Sequence, residues 1–427
     1  MNHPADRPMR TGLLGEKLSH SFSPRIHRTL VGDRYTYELF ERSPHEVESF
    51  IKGFEWDALN VTIPYKQAVM PYLDVITDEA ARIGAVNTVT RLPDGRLKGD
   101  NTDYFGFLRT VIACGCNPKG KKTLVLGNGG AAATAVTVLR DKGSEVVLLG
   151  RNDRAVGGIS PEPYETVYER HPDAEVVVNC TPLGMYPGLI GQSPVELCRL
   201  PRVKAVFDMV YNPARTALLL EAERLGISAC NGLLMLAAQA KRAAELFLGE
   251  DLEDGSIDAA VADIARETGN IILVGMPGSG KSTVGKALAA ALGRPFVDTD
   301  ALITEAAGRA IPDIFAAEGE AYFRALETEA VKKAGMMSGI VIATGGGVVT
   351  RECNYAPLSQ NGSIVFLRRD PSKLPVKGRP ISQATPLKAL YEKRLPLYRA
   401  FADVEIDNEG QIEETVAAIR RALGYGE

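Results

Sequence analysis

Leu273 to Gly285 reads LVGMPGSGKSTVG. Gly275, Gly280, Lys281 and Ser282 fit the pattern G-x-x-x-x-G-K-[ST]. An apolar run, NIILVG, leads into the loop, and a helical stretch, TVGKALAAALG, leaves it. That strand–loop–helix context turns a pattern into a phosphate cradle. Glycines let the loop turn its backbone N–H groups toward a β-phosphate, and the helix N-terminus adds positive potential. Lys281 can reach the β and γ oxygens, and the Ser282 hydroxyl can ligate Mg²⁺. ATP contacts are therefore expected from Gly278, Ser279, Gly280, Lys281, Ser282 and Thr283. The fold class that follows for this part of the chain is α/β, a P-loop domain on a parallel sheet.

A cradle of another design lies upstream, TLVLGNGGAAA, Thr123 to Ala133. Gly127, Gly129 and Ala132 fit G-x-G-x-x-[GA] between a strand and a helix, the fingerprint of a Rossmann-type unit. The first glycine makes the turn and the second admits a pyrophosphate. Gly127, Asn128, Gly129, Gly130 and Ala131 are the expected contacts. The next strand, SEVVLLG, ends on Gly150–Arg151–Asn152, with Arg154 beyond. A carboxylate there would hold the 2′-hydroxyl of NAD; arginine suits a 2′-phosphate, so Arg151 and Arg154 point to NADP(H). Asp153 sits past the usual acidic position.

Two cradles in 427 residues imply more than one domain. Alternating strands and helices over 10–104 read as one α/β substrate domain: GLLG, YTYELF, ALNVTIP and AVNTVTRL as strands, IHRTL, EVESFIKGF and QAVMPYLDVI as helices, and DGRLKGDN as a hairpin or loop. Residues 105–231 form the dinucleotide unit, and the amphipathic stretch NGLLMLAAQAKRAAELFLG, within 232–249, completes the first domain. Residues 250–269 read as a linker or connecting helix, and 270–427 as the P-loop domain. A net charge near −4 speaks against nucleic acid or an anionic membrane as partner. The longest apolar runs are too short to span a bilayer, and the polar first ten residues are no signal peptide. A cytoplasmic location is expected, with oligomeric state open. Six cysteines without a C-x-x-C pair read as idle thiols, and five histidines show no zinc spacing.

Beyond the P-loop, FVDTD places Asp298 and Asp300 two residues apart at a strand end, which on a strand would send both to one side. EGEAYFRALE, IATGGGVV, GRP and KRLPLY follow. The set resembles shikimate kinase from about Asn270 to Gly424. The resemblance implies that Asp300 grips substrate hydroxyls and serves as base, with Asp298 and Ser282 on the magnesium side. Arg324, Arg379 and Arg394 would surround the shikimate carboxylate and the phosphoryl group, and Gly345, Gly346 and Gly347 would bring backbone close to the ring. A guanidinium suits a small acid's carboxylate, and a phosphoryl in transfer needs surrounding positive charge. The lid stretch RRDPSKLPVKGRPIS is short beside the family's, leaving the adenine contact open between Arg369 and Lys377.

The first half carries SHSFSP, NVTIPYK, GAVNT, GDNTDYFG, VYNPARTALL and NGLLMLAAQA, in that order. Set and order resemble shikimate dehydrogenase from about Arg10 to Gly249. The resemblance implies that Ser21, Ser23 and Tyr211 hold a carboxylate and that Thr62, Asn87 and Gln239 hold ring hydroxyls. Lys66 and Asp103 would form the catalytic pair: an ammonium protonates the alkoxide left by hydride delivery, and a carboxylate keeps it charged. The joint expectation is a bifunctional enzyme taking 3-dehydroshikimate to shikimate with NADPH, then shikimate to its 3-phosphate with ATP. The alternative is a quinate/shikimate dehydrogenase joined to a shikimate-sensing, catalytically weak kinase-like half.

Overall fold

The computed structural model describes residues 8–19, 21–374 and 387–426. The chain divides into two compact units, with the main break at Ile264–Ala265 and the short segments Tyr186–Gly188 and Asn212–Arg215 counted with the second. Three sheets carry the architecture, and all three are rich in parallel pairs.

The first sheet uses β1 (Met9–Gly15), β2 (Tyr35–Glu41), β3 (Ala58–Val61), β4 (Val75–Ile76), β5 (Thr88–Arg91) and β6 (Leu97–Asp100). Its order is β2-β1-β3-β5-β6-β4. β1 runs parallel to β2 and β3, while the hairpin β5–β6 is antiparallel. The expected helix over 67–76 does not form. Turns run to Val69, Met70–Tyr72 is a 3₁₀ turn and Val75–Ile76 pairs with β6. Pro71 has no N–H for an α-helical bond, and β-branched Val75 and Ile76 favour a strand.

The second sheet orders its strands β11-β10-β9-β7-β8, all parallel: β7 (Lys122–Leu126), β8 (Glu145–Leu149), β9 (Val176–Asn179), β10 (Ala205–Asp208) and β11 (Ser228–Cys230). Strand order reverses at β7, which opens a crevice at the carboxyl ends of β7 and β9. The third sheet repeats the logic as β13-β14-β12-β15-β16, also parallel: β12 (Asn270–Val274), β13 (Phe296–Asp298), β14 (Val341–Ala343), β15 (Gly362–Arg368) and β16 (Val404–Asp407). β12 sits at its switch point. All five β12 residues are buried, because helices cover both faces; this is why Ile271–Val274 is a continuous apolar run rather than an alternating one.

Residues 250–269 do not form an extended linker. Gly255–Thr268 is a helix, and its Ile257, Ala260 and Ile264 are buried in one cluster with Ile26, Leu30, Ala240 and Phe247. Spacing of i, i+3 and i+7 puts those three on one face. Asp263 fixes the outer side with a two-bond ion pair to Arg25, at 2.7 and 2.9 Å. Among the described residues no helix is long and apolar enough to cross a membrane.

Candidate active sites

Lys66 lies in the turn after β3, where its carbonyl accepts the Val86 N–H at 2.8 Å. Asp103 opens the helix Asp103–Ala113, with its N–H on the Asn101 side chain at 3.1 Å. Lys66 Nζ meets Asp103 Oδ2 at 2.7 Å. The side chains are 29% and 16% exposed, so the pair is shielded yet reachable from solvent. Next to it, Asn87 Oδ1 accepts the Thr102 N–H at 2.8 Å and the Thr88 hydroxyl at 3.0 Å. The Thr102 hydroxyl lies 3.4 Å from Gln239 Oε1, so one threonine joins Asn87 to Gln239. Gly106 lets the Leu233–Leu248 helix come this near: a Cβ there would stand 2.7 Å from the Met235 carbonyl.

Ser21 and Ser23 form a second group, the Ser23 N–H donating to Ser21 Oγ at 3.2 Å. Between them Phe22 meets the Tyr211 ring edge-on at 6.0 Å, which brings Tyr211 to the serine turn. Thr62 ends the β3 run, its N–H on the Leu14 carbonyl at 2.9 Å. Thr102 was not singled out from sequence; its only signal was its position inside GDNTDYFG. Asn60, the first residue of NVTIPYK, donates to the Asn87 carbonyl and to Thr88, and accepts from Tyr37 at 2.8 Å. His20 lies outside the described residues.

At the first cradle Gly127 has φ +96° and touches Cys180 and Thr181, a place where any side chain would be strained and would collide. Gly129 caps the helix Gly130–Asp141, and Gly130 and Ala131 are exposed at its first turn. Asn128 spans the loops: its amide donates to Asn152 O at 3.0 Å and to Arg154 O at 3.0 Å. That clamp fixes the segment beyond β8 on which Arg151 and Arg154 stand exposed. The cradle thus offers free backbone, a helix N-terminus and two guanidinium groups at its rim.

The second cradle opens on a cavity of about 600 Å³. Gly278, Gly280, Lys281, Ser282 and Thr283 line it, while Ser279 is buried beneath. Lys281 is only 7% exposed and donates to the Gly275 and Met276 carbonyls, both at 2.9 Å. Asn408 braces the loop by donating to the Ser279 carbonyl at 2.6 Å. Gly280, at φ +95°, leaves room for that amide, since a Cβ would stand 2.7 Å from it.

Asp298 and Asp300 both line the cavity, but not as successive strand residues. Asp298 ends β13 and caps the helix Thr299–Ala307; its carboxylate accepts the Asp300 N–H at 3.0 Å and the Ser282 hydroxyl at 2.7 Å. Aspartate is a strong N-cap, and that preference ends the strand one residue before the alternation could act. Burial and the Asp298 charge push the Asp300 carboxyl up to about 6. Its Oδ1 is buried and has no partner among the described residues.

Arg324 is buried and bonded to Glu327 at 2.7 Å and to Glu320 at 3.0 Å. Its guanidinium packs on Gly347, where no side chain would fit. Arg394 donates to the Gly346 carbonyl at 3.0 Å. Gly345 lies between Asp300 and Glu327; a Cβ would come within 3.0 Å of both carboxylates. Glu327 was not foreseen: it is fully buried, with Oε1 unpartnered and its pKa raised by burial against the pull of Arg324. Nothing in FRALE marks it apart from a surface glutamate. Arg369 lines the cavity too, while Arg379 and Lys377 lie outside the described residues.

A dinucleotide-type unit with a shielded Lys66–Asp103 ion pair, followed by a P-loop unit with a buried acid, fits a class: an oxidoreductase joined to a phosphotransferase. The comparisons make it particular. The family model for the shikimate dehydrogenase substrate binding domain matches residues 13–89, and that for shikimate kinase matches 277–423. The NADP(+) shikimate dehydrogenase of Clostridium beijerinckii is 39% identical over 248 residues, 55% of this chain and 90% of that protein. A chorismate mutase/shikimate 5-dehydrogenase fusion protein from Clostridium acetobutylicum superposes with a TM-score of 0.57 at 33% identity, covering 60% of this chain and 97% of its own. The Thermus thermophilus shikimate 5-dehydrogenase, solved with NADP(H) and shikimate, gives 0.54 at 33%, covering 60% and 99%. The chain belongs to the shikimate dehydrogenase family and carries a shikimate kinase domain after it. It is a shikimate-pathway fusion enzyme.

Proposed function

We propose that the chain catalyses two consecutive reactions: NADPH-dependent reduction of 3-dehydroshikimate to shikimate, and ATP-dependent phosphorylation of shikimate to shikimate 3-phosphate. The reading rests on one observation. The same chain holds a Lys66–Asp103 proton-donor pair beside Asn87, Thr102 and Gln239, and a separate cavity in which Lys281, Ser282, Asp298, Asp300, Arg324 and Arg394 converge.

In the first reaction bound NADPH supplies the hydride. The carbonyl carbon accepts it and the carbonyl oxygen becomes an alkoxide, which Lys66 protonates from its ammonium. Asp103 holds and aims that ammonium through the 2.7 Å contact, and solvent returns the proton through the exposed side of the pair. Asn87, Gln239 and Thr62 take the hydroxyls, and Ser21, Ser23 and Tyr211 the carboxylate. The cradle fits a dinucleotide, since Gly127 clears the space that a Cβ would fill, and Arg151 and Arg154 suit a 2′-phosphate.

In the second reaction Asp300 takes the proton of the attacking hydroxyl, with a carboxylate poised by burial near working pH. Lys281 and Arg394 meet the charge on the phosphoryl oxygens, and Arg324 the carboxylate. The hard oxygens of Ser282 and Asp298, 2.7 Å apart, fit Mg²⁺, which when bound screens the triphosphate. A coupled assay tests the whole reading. With 3-dehydroshikimate, NADPH and Mg-ATP, shikimate 3-phosphate should accumulate; shikimate as the end product would leave only the first reaction standing.

A further inference from the structure

The six cysteines are free thiols, and sequence spacing paired none of them. Folding brings two together. Cys114 caps the end of the Asp103–Ala113 helix, and Cys230 is the last residue of β11. Cys114 Sγ lies 3.4 Å from Ser228 Oγ, and that hydroxyl also lies 3.4 Å from the Cys114 carbonyl. Ser228 and Cys230 alternate on one strand and so face the same side. Cys230 therefore faces Cys114 from the same side as Ser228, and both thiols belong to one packed cluster. Both thiols are half-buried at the edge of a cluster with Val111, Phe207 and Met235.

We propose that Cys114 and Cys230 form a reversible disulfide that slows the dehydrogenase half. Placement gives the bond its leverage. The chain passes from the first sheet to the second through the Asp103–Ala113 helix, which starts with Asp103. It leaves the second sheet after β11 through the Leu233–Leu248 helix, which carries Gln239. A bond from Cys114 to Cys230 ties these two crossings together at their second-sheet ends. Movement of the dinucleotide sheet against the substrate sheet then has to bend that tie. The chemistry is asymmetric in the required sense. The Cys230 thiol lowers the Cys114 pKa below the ordinary thiol value, against the opposing effect of burial, and its own is raised. Cys114 is the attacking thiolate and Cys230 the resolving thiol.

The oxidant is a low-molecular-weight disulfide, RSSR. Cys114 thiolate attacks one sulfur, the S–S bond breaks and RS⁻ leaves. Cys230, losing its proton, attacks the Cys114 sulfur of the mixed disulfide and expels the second RS⁻. Two protein thiols are oxidised, one RSSR is reduced to two RSH, and both thiol protons end on the released thiolates.

The test incubates the full-length chain with oxidised glutathione, blocks remaining thiols and maps the digest by mass. The expected product is a peptide pair joined through Cys114 and Cys230, released by dithiothreitol. Dehydrogenase kcat should fall to a minor fraction in the joined form and return on reduction, while phosphorylation of added shikimate holds steady. Cys114→Ser and Cys230→Ser should each abolish both the cross-link and the oxidant sensitivity, and Cys116→Ser should keep both. A glutathione adduct that stays on Cys114, a bond to Cys116, or a fully joined protein with undiminished reduction rate would each overturn the proposal. The mapping is read on wild-type protein, so it stands even if a variant folds poorly or the reduced enzyme prefers another substrate.

Discussion

At Gly127 the cradle is open: Gly129, Gly130 and Ala131 are exposed, and the charges meant for the ligand stand at the rim on Arg151 and Arg154. At Gly280 the cradle is closed around its charge: Lys281 is buried on two backbone carbonyls and Asn408 grips the loop from behind. The acid–base groups repeat the contrast. Lys66 and Asp103 neutralise one another at 2.7 Å within reach of solvent. Asp300 and Glu327 sit in the cavity beside Arg324 and the P-loop, with one oxygen each unpartnered among the described residues. The proposed chemistries would account for the difference. Hydride transfer needs a proton from solvent at the end, which suits a pair with a solvent-facing side. Phosphoryl transfer must keep water from the γ-phosphate, which suits buried charges that are costly to hold.

The largest effects should separate the two sites completely. Lys66→Ala removes the proton donor, and kcat for reduction should fall by about 10²–10⁴. Asp300→Asn keeps shape and loses basicity, and phosphorylation should fall by about the same factor. Each variant should retain the other reaction, because the two sites lie in different units and share no residue, and independent sites behave additively. Both assays on both folded variants decide it; a Lys66→Ala protein that also loses kinase turnover would merge the two sites into one coupled system.

Next in size is the helix within 250–269, one of the two readings of that segment. Ile264 is 1% exposed, so Ile264→Ala should cost the dehydrogenase unit about 2–5 kcal/mol. Cutting at Gly249 removes Ile257 and Ala260 as well and uncovers Ile26 and Leu30 beneath them. A fragment ending at Gly249 should therefore aggregate or lose reductase activity, while one ending at Thr268 keeps it. Equal solubility and activity of the two fragments would return 250–269 to the status of a linker.

What the sequence disclosed follows the same open-versus-buried divide. Glycine and lysine patterns that build a cradle are local, so both loops and their flanking strands could be read from a dozen residues each. Buried parallel strands such as β12 betray themselves by unbroken apolar runs, here Ile271–Val274. Properties created by tertiary contact were not legible. Glu327 looks like any surface glutamate until the chain buries it against Arg324. Thr102 gains meaning only when Gln239 arrives from the far end of the unit. Cys114 and Cys230 are more than a hundred positions apart. Two local readings failed because one residue outweighed a pattern: Pro71 broke a helix, and the Asp298 cap turned a strand into a helix before Asp300.

Cofactor choice probes the open cradle directly. Arg151 is exposed, so its loss should disturb little but the ligand. Removing one charge-assisted partner of a 2′-phosphate costs about 1.5–3 kcal/mol, roughly 10–150-fold in affinity. Arg151→Ala should raise the NADPH KM by that order and leave NADH almost unchanged. Parallel losses for the two cofactors would mean that Arg151 supports the loop rather than the phosphate.

The smallest effect is the most specific to the closed cradle. Asp300 titrates near 3.8 when free and near 6 when folded, with burial as the first cause and Asp298 as the second. The folded state therefore holds the proton more tightly than the unfolded one. Stability falls as pH rises from about 4 to about 6, because the unfolded chain ionises first, and the cost is complete above 6. Asp300→Asn removes an ionisable group whose charge the fold disfavours. It should stabilise the kinase unit by about 1–3 kcal/mol at pH 7.5, and the gain should shrink by pH 5. The sole tryptophan, Trp56, is buried in the first sheet's core, so its fluorescence follows the dehydrogenase unit alone. Calorimetry read beside that fluorescence assigns the transitions: the one without a Trp56 change should move up in the variant at pH 7.5, and the other should stay. Wild-type phosphorylation should rise with pH through about 6 as Asp300 ionises. A variant whose kinase transition gains as much at pH 5 as at pH 7.5 would show that charge burial at Asp300 is not the source of the cost.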